Sequence, residues 1–119
     1  MQKRISKTIK RARRDPKATS APYDEWLIER LKDPDEAAAY LEAALEDADQ
    51  PGLMLALRNV AQARGGVAEI ARKSHLTREA TYRMLSETGN PELKNLTAVL
   101  AAAGLRLSVT PIERIKRAA

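Results

Sequence analysis

The residues best equipped for chemistry in this chain are Thr77, Arg78, Glu79, Tyr82, Arg83 and Ser86, all within one short stretch. On a helix, positions 78, 79, 82, 83 and 86 share a side, because residues three or four apart are neighbours. Their chemistry is hydrogen bonding to polar edges rather than bond making. An arginine fork matches O6 and N7 of guanine, and a carboxylate accepts from N4 of cytosine. Arg78, Arg83 and Glu79 therefore fit the reading of base edges in a DNA major groove. Thr77 and Tyr82 suit a phosphate or a thymine methyl. Arg72, Lys73 and Lys94, near the ends of neighbouring helices, suit the phosphate backbone, where contacts position without specifying.

The elements that must hold these side chains lie in Val67–Ser86, VAEIARKSHLTREATYRMLS. The apolar spacing predicts a helix over Val67–Ser74, with Val67, Ile70 and Ala71 facing inward. A turn follows at His75-Leu76-Thr77. Thr77 is a good N-cap for a second helix over Arg78–Ser86. This is the layout of a helix-turn-helix, whose second helix enters the major groove. Ala71 supplies the small residue where the helices meet, Leu76 the apolar residue after the turn, and Met84 or Leu85 the late inward contact. The turn usually holds a left-handed glycine; here His75 stands in that place.

Three helices are predicted to flank this pair. Asp33 caps one beginning at Pro34, with Asp35 and Glu36 favouring its positive end. Its apolar face is Ala37, Tyr40, Leu41, Ala44, Leu45 and Ala48. A second runs over Pro51–Ala63 and ends at Gly65 and Gly66. A third, over Glu92–Ala103, is started by Asn90 and Pro91 and ended by Gly104. The N–H groups at its start would be open to a phosphate. Residues 23–32 read as either a short helical turn or an extended arm, with Trp26 packed on the core; a solvent-exposed Trp26 would instead mark a partner site. Leu105–Val109 alternates apolar and polar residues, which is strand periodicity. A lone strand leaves backbone groups unpaired. Leu105, Leu107 and Val109 are therefore expected to pair with the same strand of another copy or with a partner; the alternative is an extended tail packed on the helices. The expected fold is all-α: five helices with a short C-terminal β-strand. Residues 23–112 form the domain, between a basic tail (1–22) and a C-terminal tail (113–119).

The net charge of +5 is unevenly spread. Residues 1–22 carry eight basic side chains against one acidic, residues 23–50 carry ten acidic against two basic, and the remainder is basic again. The basic parts fit a polyanion, although the tail charges fit simple solubility as well. No cysteine and a single histidine exclude disulfides, thiolate metal sites and histidine clusters within one chain. No phosphate loop or nucleophile elbow is present, so neither an enzyme nor a cofactor is expected. The chain has no apolar run of membrane-spanning length and no secretory h-region, which points to a cytoplasmic protein.

The run LKDPDEAAAYLEAALED, the Pro-Gly helix and ARGGVAEIARKSHLTREATYRMLSETGNPELKNLTAVLAAAGLRLSV together resemble the addiction-module antidote family. The most telling pieces are Leu85-Ser86-Glu87, Gly89-Asn90-Pro91 and Gly104–Leu107. The family resembles HigA-type antitoxins with a Cro- and lambda-repressor-like helix-turn-helix, and the likeness covers about Tyr23–Ile112. It implies an antitoxin that neutralises a small RelE/ParE-like (HigB-type) toxin and represses its own operon through double-stranded operator DNA. It also places Thr77, Arg78, Glu79, Tyr82 and Arg83 at recognition-helix positions. A homodimer would supply the two half-sites that such a reader needs. The acidic segment, with Trp26, Asp35, Glu42 and Glu46, would suit a basic toxin. Two other readings stay open: a stand-alone prophage-type repressor, and an interaction module that does not bind DNA.

Overall fold

A computed structural model describes residues 21–47 and 49–112, which form six α-helices. These are α1 (Ala21–Arg30), α2 (Pro34–Asp47), α3 (Gln50–Ala63), α4 (Val67–Ser74), α5 (Arg78–Met84) and α6 (Leu93–Ala102). Of the tails expected over 1–22 and 113–119, residues 1–20 and 113–119 lie outside the described residues, while residues 21 and 22 open α1.

The arrangement is built around α3, which contacts α1, α2 and α4. Its buried residues are Met54, Ala56, Leu57, Val60 and Ala61. They cover more of its circumference than one narrow stripe, as a helix packed on several sides requires. The start of α2 is fixed by the Asp33 carboxylate, which accepts hydrogen bonds from the N–H of Asp35 (2.8 Å) and of Glu36 (3.4 Å). Ala37 and Leu41 of α2 then enter the core. On the other side, α4 packs most extensively on α6; Val67, Ile70 and Ala71 of α4 and Val99 and Leu100 of α6 are buried.

Three helices end in the same way. After each of α3, α4 and α6 the chain enters positive φ: at Gly65 (130°) and again Gly66 (94°) after α3, at His75 (61°) after α4 and at Gly104 (86°) after α6. In each case the next N–H reaches back five residues: Gly66 to Ala61 O (2.8 Å), Leu76 to Ala71 O (3.0 Å) and Leu105 to Leu100 O (2.8 Å). This closure satisfies a carbonyl that the helix end would otherwise orphan.

The expectation of five helices and a strand is corrected: the described residues hold six helices and no strand. The sixth is α1, a ten-residue helix where a short helical turn or an extended arm was expected. Leu27, and Leu31 just beyond the helix end, are buried in the main core; this tertiary contact stabilises a segment too short to be helical alone. At the other end, Leu105–Val109 forms no ladder. Leu105 is tied to the end of α6 and packs partly on the core, while Leu107 and Val109 are exposed. Alternation of apolar residues is compatible with any extended backbone, and a strand exists only with a neighbour to bond. The C-terminal strand expected at Leu105, Leu107 and Val109 is therefore corrected to an extended segment without a ladder among the described residues.

Two boundaries also shift. α5 stops at Met84 rather than Ser86, where the chain folds back on the helix end: a Cβ at Gly89 would collide with the carbonyl oxygen of Met84. α6 begins at Leu93 with Glu92 as N-cap, not at Asn90-Pro91, and no side chain caps it. The open N–H groups thus lie two residues later than expected. No helix of the described residues is long and apolar enough to cross a membrane.

Candidate nucleic-acid interface

The α4–turn–α5 unit gives α5 one face for packing and one for solvent. Thr81 and Leu85 are buried, at 0% and 1% exposure. Thr81 Oγ1 donates to the Thr77 carbonyl at 2.8 Å, so its burial leaves no hydroxyl unsatisfied. Thr77 Oγ1 accepts from the N–H of Ala80 at 2.9 Å, the capping bond expected from its position. The turn before it is held by His75 in the left-handed region (φ 61°, ψ 35°), the conformation that the motif demands and that only glycine adopts cheaply.

This scaffold leaves Thr77, Arg78, Glu79, Tyr82 and Arg83 exposed together, with Tyr82 at 53%. Ser86 is half-buried, and its hydroxyl donates to Arg83 O at 2.8 Å. It retains lone pairs to accept a bond, but its proton is committed.

The outlying basic residues have separate local surroundings. Arg72 is engaged by Glu69 on its own helix, with Nε to Oε1 at 3.0 Å and Nη2 to Oε2 at 2.5 Å. Hydrogen bonding to Arg72 holds the Glu69 carboxyl below its usual range, and the same bond raises the guanidinium. Lys73 borders a cleft of about 610 Å³ with Arg64, His75 and the C-terminal end of α6. Arg83 and Ser86 border a different opening of about 360 Å³, between α5 and the start of α6. Lys94 is exposed in the first turn of α6.

A second surface lies on α1 and α2. Trp26 is 53% exposed rather than packed in the core as the sequence reading expected. The Arg30 guanidinium stands 5.1 Å from its ring centroid, within cation–π range. Arg30 also meets Glu36 at 2.6 Å, tying α1 to the start of α2. Asp35, Glu42 and Glu46 are all exposed on α2, and their spacing of seven and four residues puts them on one side. Leu45 is exposed beside them in sequence.

Sequence reasoning missed three polar residues that tie α3 and its C-terminal end to distant turns. Arg58 and Gln50 of α3 donate to the carbonyls of Leu85 (2.5 Å) and Gly89 (2.8 Å). Arg64 donates through Nε to Ala103 O at 2.8 Å and through Nη1 to Lys32 O. These partners are 27 to 39 residues away, beyond any local pattern. Thr81, by contrast, was findable: it lies midway between Thr77 and Leu85 at helical spacing. Among the described residues no group of three or more His, Cys, Asp or Glu side chains is placed to hold a metal ion.

The comparisons with known proteins bear on the whole domain. A family model described as "probable addiction module antidote protein" matches residues 23–111. An uncharacterized protein of Haemophilus influenzae is 33% identical over 83 residues, which cover 70% of this chain and 84% of that protein. No solved structure matches significantly.

Proposed function

The chain belongs to the family of probable addiction module antidote proteins, and on that footing we propose that it is a cytoplasmic antitoxin and autorepressor. It neutralises a small basic toxin, of the RelE/ParE-like (HigB) type, by direct binding. It represses its own operon by binding operator DNA. The observation that carries the DNA reading is the exposed set Thr77, Arg78, Glu79, Tyr82 and Arg83 on a helix seated behind a capped turn. Arg78 and Arg83 grip guanines, and Glu79 accepts from cytosine. Thr77, Tyr82 and Ser86 position the helix, and Arg72, Lys73 and Lys94 add phosphate contacts. One such helix spans few base pairs, so the protein acts as a homodimer on two half-sites one helical turn apart. The toxin docks on the acidic face of α1 and α2, at Trp26, Asp35, Glu42 and Glu46.

The first test is a growth assay. The small reading frame adjacent to this gene is expressed alone and then with this chain. Arrest relieved by co-expression is expected; absence of toxicity, or toxicity without rescue, leaves a stand-alone repressor. Binding to the chain's own upstream DNA is measured alongside. Changing Arg78 and Arg83 to alanine should cost about 1–3 kcal/mol per lost base contact, and unchanged affinity refutes the assignment of α5. Reversing charge at Asp35, Glu42 and Glu46 should weaken toxin binding while leaving DNA binding intact.

A further inference from the structure

The helix proposed to read DNA is the shortest of the six described, at seven residues. It packs chiefly on α4. Its N-terminal end is fixed by the Thr77 cap. Its C-terminal end faces a harder problem. The last carbonyls of a helix have no intrahelical donors, and the chain must leave through a tight turn before α6.

Two side chains of α3 address that end. Arg58 Nη1 donates to Leu85 O at 2.5 Å, and Gln50 Nε2 donates to Gly89 O at 2.8 Å. They are eight positions apart on α3 and so about 12 Å apart along its axis. Arg58 is half-buried, and no ion pair engages it among the described residues. Its guanidinium is spent on a backbone carbonyl. Between the two anchored carbonyls the turn closes on itself, with Gly89 N–H donating to Ser86 O at 2.8 Å. The turn has no room for a side chain at Gly89. The segment from Leu85 to Gly89 is thus pinned at both ends by a helix that carries no base-reading residue.

We infer that Arg58 and Gln50 are positioning residues for DNA recognition: they fix the C-terminal end of α5, so that Arg83 meets its base, and Tyr82 and Ser86 their positioning contacts, in register. The inference rests on the reading of α5 as the DNA-contacting helix. A small rotation of a helix about its axis displaces the tips of its long side chains by more than a hydrogen bond tolerates. Loss of the anchors therefore removes sequence discrimination while leaving attraction to phosphates intact.

The test uses the full chain and two DNA probes: a duplex selected from a random pool by the wild-type protein, and a scrambled duplex of equal length. Arg58→Met keeps the stem and removes the donors, Arg58→Lys restores one donor, and Gln50→Ala removes the second anchor. For Arg58→Met the selected duplex should bind about tenfold more weakly, the scale of one lost base contact. Binding to the scrambled duplex should be unchanged, as should the salt slope for the selected one. Arg58→Lys should recover part of the loss, and Gln50→Ala should show the same pattern more weakly. A parallel fall on both duplexes, with the salt slope reduced by about 0.9, marks a phosphate contact instead and overturns the inference. So does unchanged discrimination in both Arg58→Met and Gln50→Ala.

Amide hydrogen exchange of the free protein gives a readout without DNA. Protection from Leu85 to Gly89 should fall in Arg58→Met and Gln50→Ala and stay at the wild-type level in Arg78→Ala. Should Arg58→Met fail to fold, Gln50→Ala carries the same comparison. Wild-type protein that selects no duplex refutes the DNA reading and this inference with it. Wild-type selection with unaltered variants refutes this inference alone.

Discussion

Arg64 and Gly104 occupy each other's space: a Cβ built on Gly104 would lie 2.8 Å from the terminal nitrogen of Arg64, whose Nε donates to the adjacent Ala103 carbonyl. Through that contact, and through its bond to Lys32 O, one side chain from the end of α3 joins the α1–α2 corner to the end of α6. Gly104 meets two demands at once, a left-handed backbone and a vacancy for the guanidinium.

Gly104→Ala should therefore destabilise the domain by about 1–2 kcal/mol, combining left-handed strain with displacement of a charged hydrogen bond. Urea denaturation of the two proteins measures it. Arg64→Ala combined with Gly104→Ala should cost less than the two single effects added, because the second change no longer has a guanidinium to displace.

His75 invites the opposite experiment. It holds the same place after α4 that Gly65 and Gly104 hold after α3 and α6. His75→Gly should raise stability by about 0.5–1 kcal/mol, since the strain of a side chain at positive φ exceeds the added freedom of the unfolded chain. A β-branched residue such as valine should lower it. A glycine variant less stable than wild type would show that the imidazole has a compensating contact.

Thr77→Ala removes the acceptor for the Ala80 N–H. The expected loss is about 1 kcal/mol, and Thr77→Ser or Thr77→Asp should restore most of it. Denaturation without DNA isolates this effect from any role of Thr77 in binding.

Glu69 gives a pH prediction of defined sign. Its carboxyl is held below the usual range by the bond to Arg72, so the folded state favours the ionised form. The resulting stabilisation is complete above the ordinary carboxylate range and is lost as pH falls through the depressed value. Arg72→Ala should return the Glu69 titration toward its ordinary value, followed by NMR of the side-chain carboxyl. The effect on stability should be small and shrink with salt, because both groups are exposed.

What could be read from the sequence was local. The Asp33 and Thr77 caps, the left-handed His75, and the buried Ala71 and Leu85 follow from residue type and spacing within a few positions. The failures share a cause as well. α1 is helical because Leu27 and Leu31 find the core, and Arg58, Gln50 and Arg64 act on carbonyls far along the chain. Leu105–Val109 shows the converse: a correct period without the neighbour that would make it a strand. Alternation and capping are encoded in neighbouring residues, whereas partnership across the fold is not.

The two sides of α5 are under separate control. Thr81 and Leu85 hold it in place, and none of its outward side chains from Arg78 to Arg83 is spent on the core. That outward face can be rewritten without repacking the domain. On the proposed reading of α5, descendants of one gene can acquire different sequence preferences by single-residue drift, each intermediate still folding, and duplicated copies can come to prefer different DNA long before their frameworks diverge.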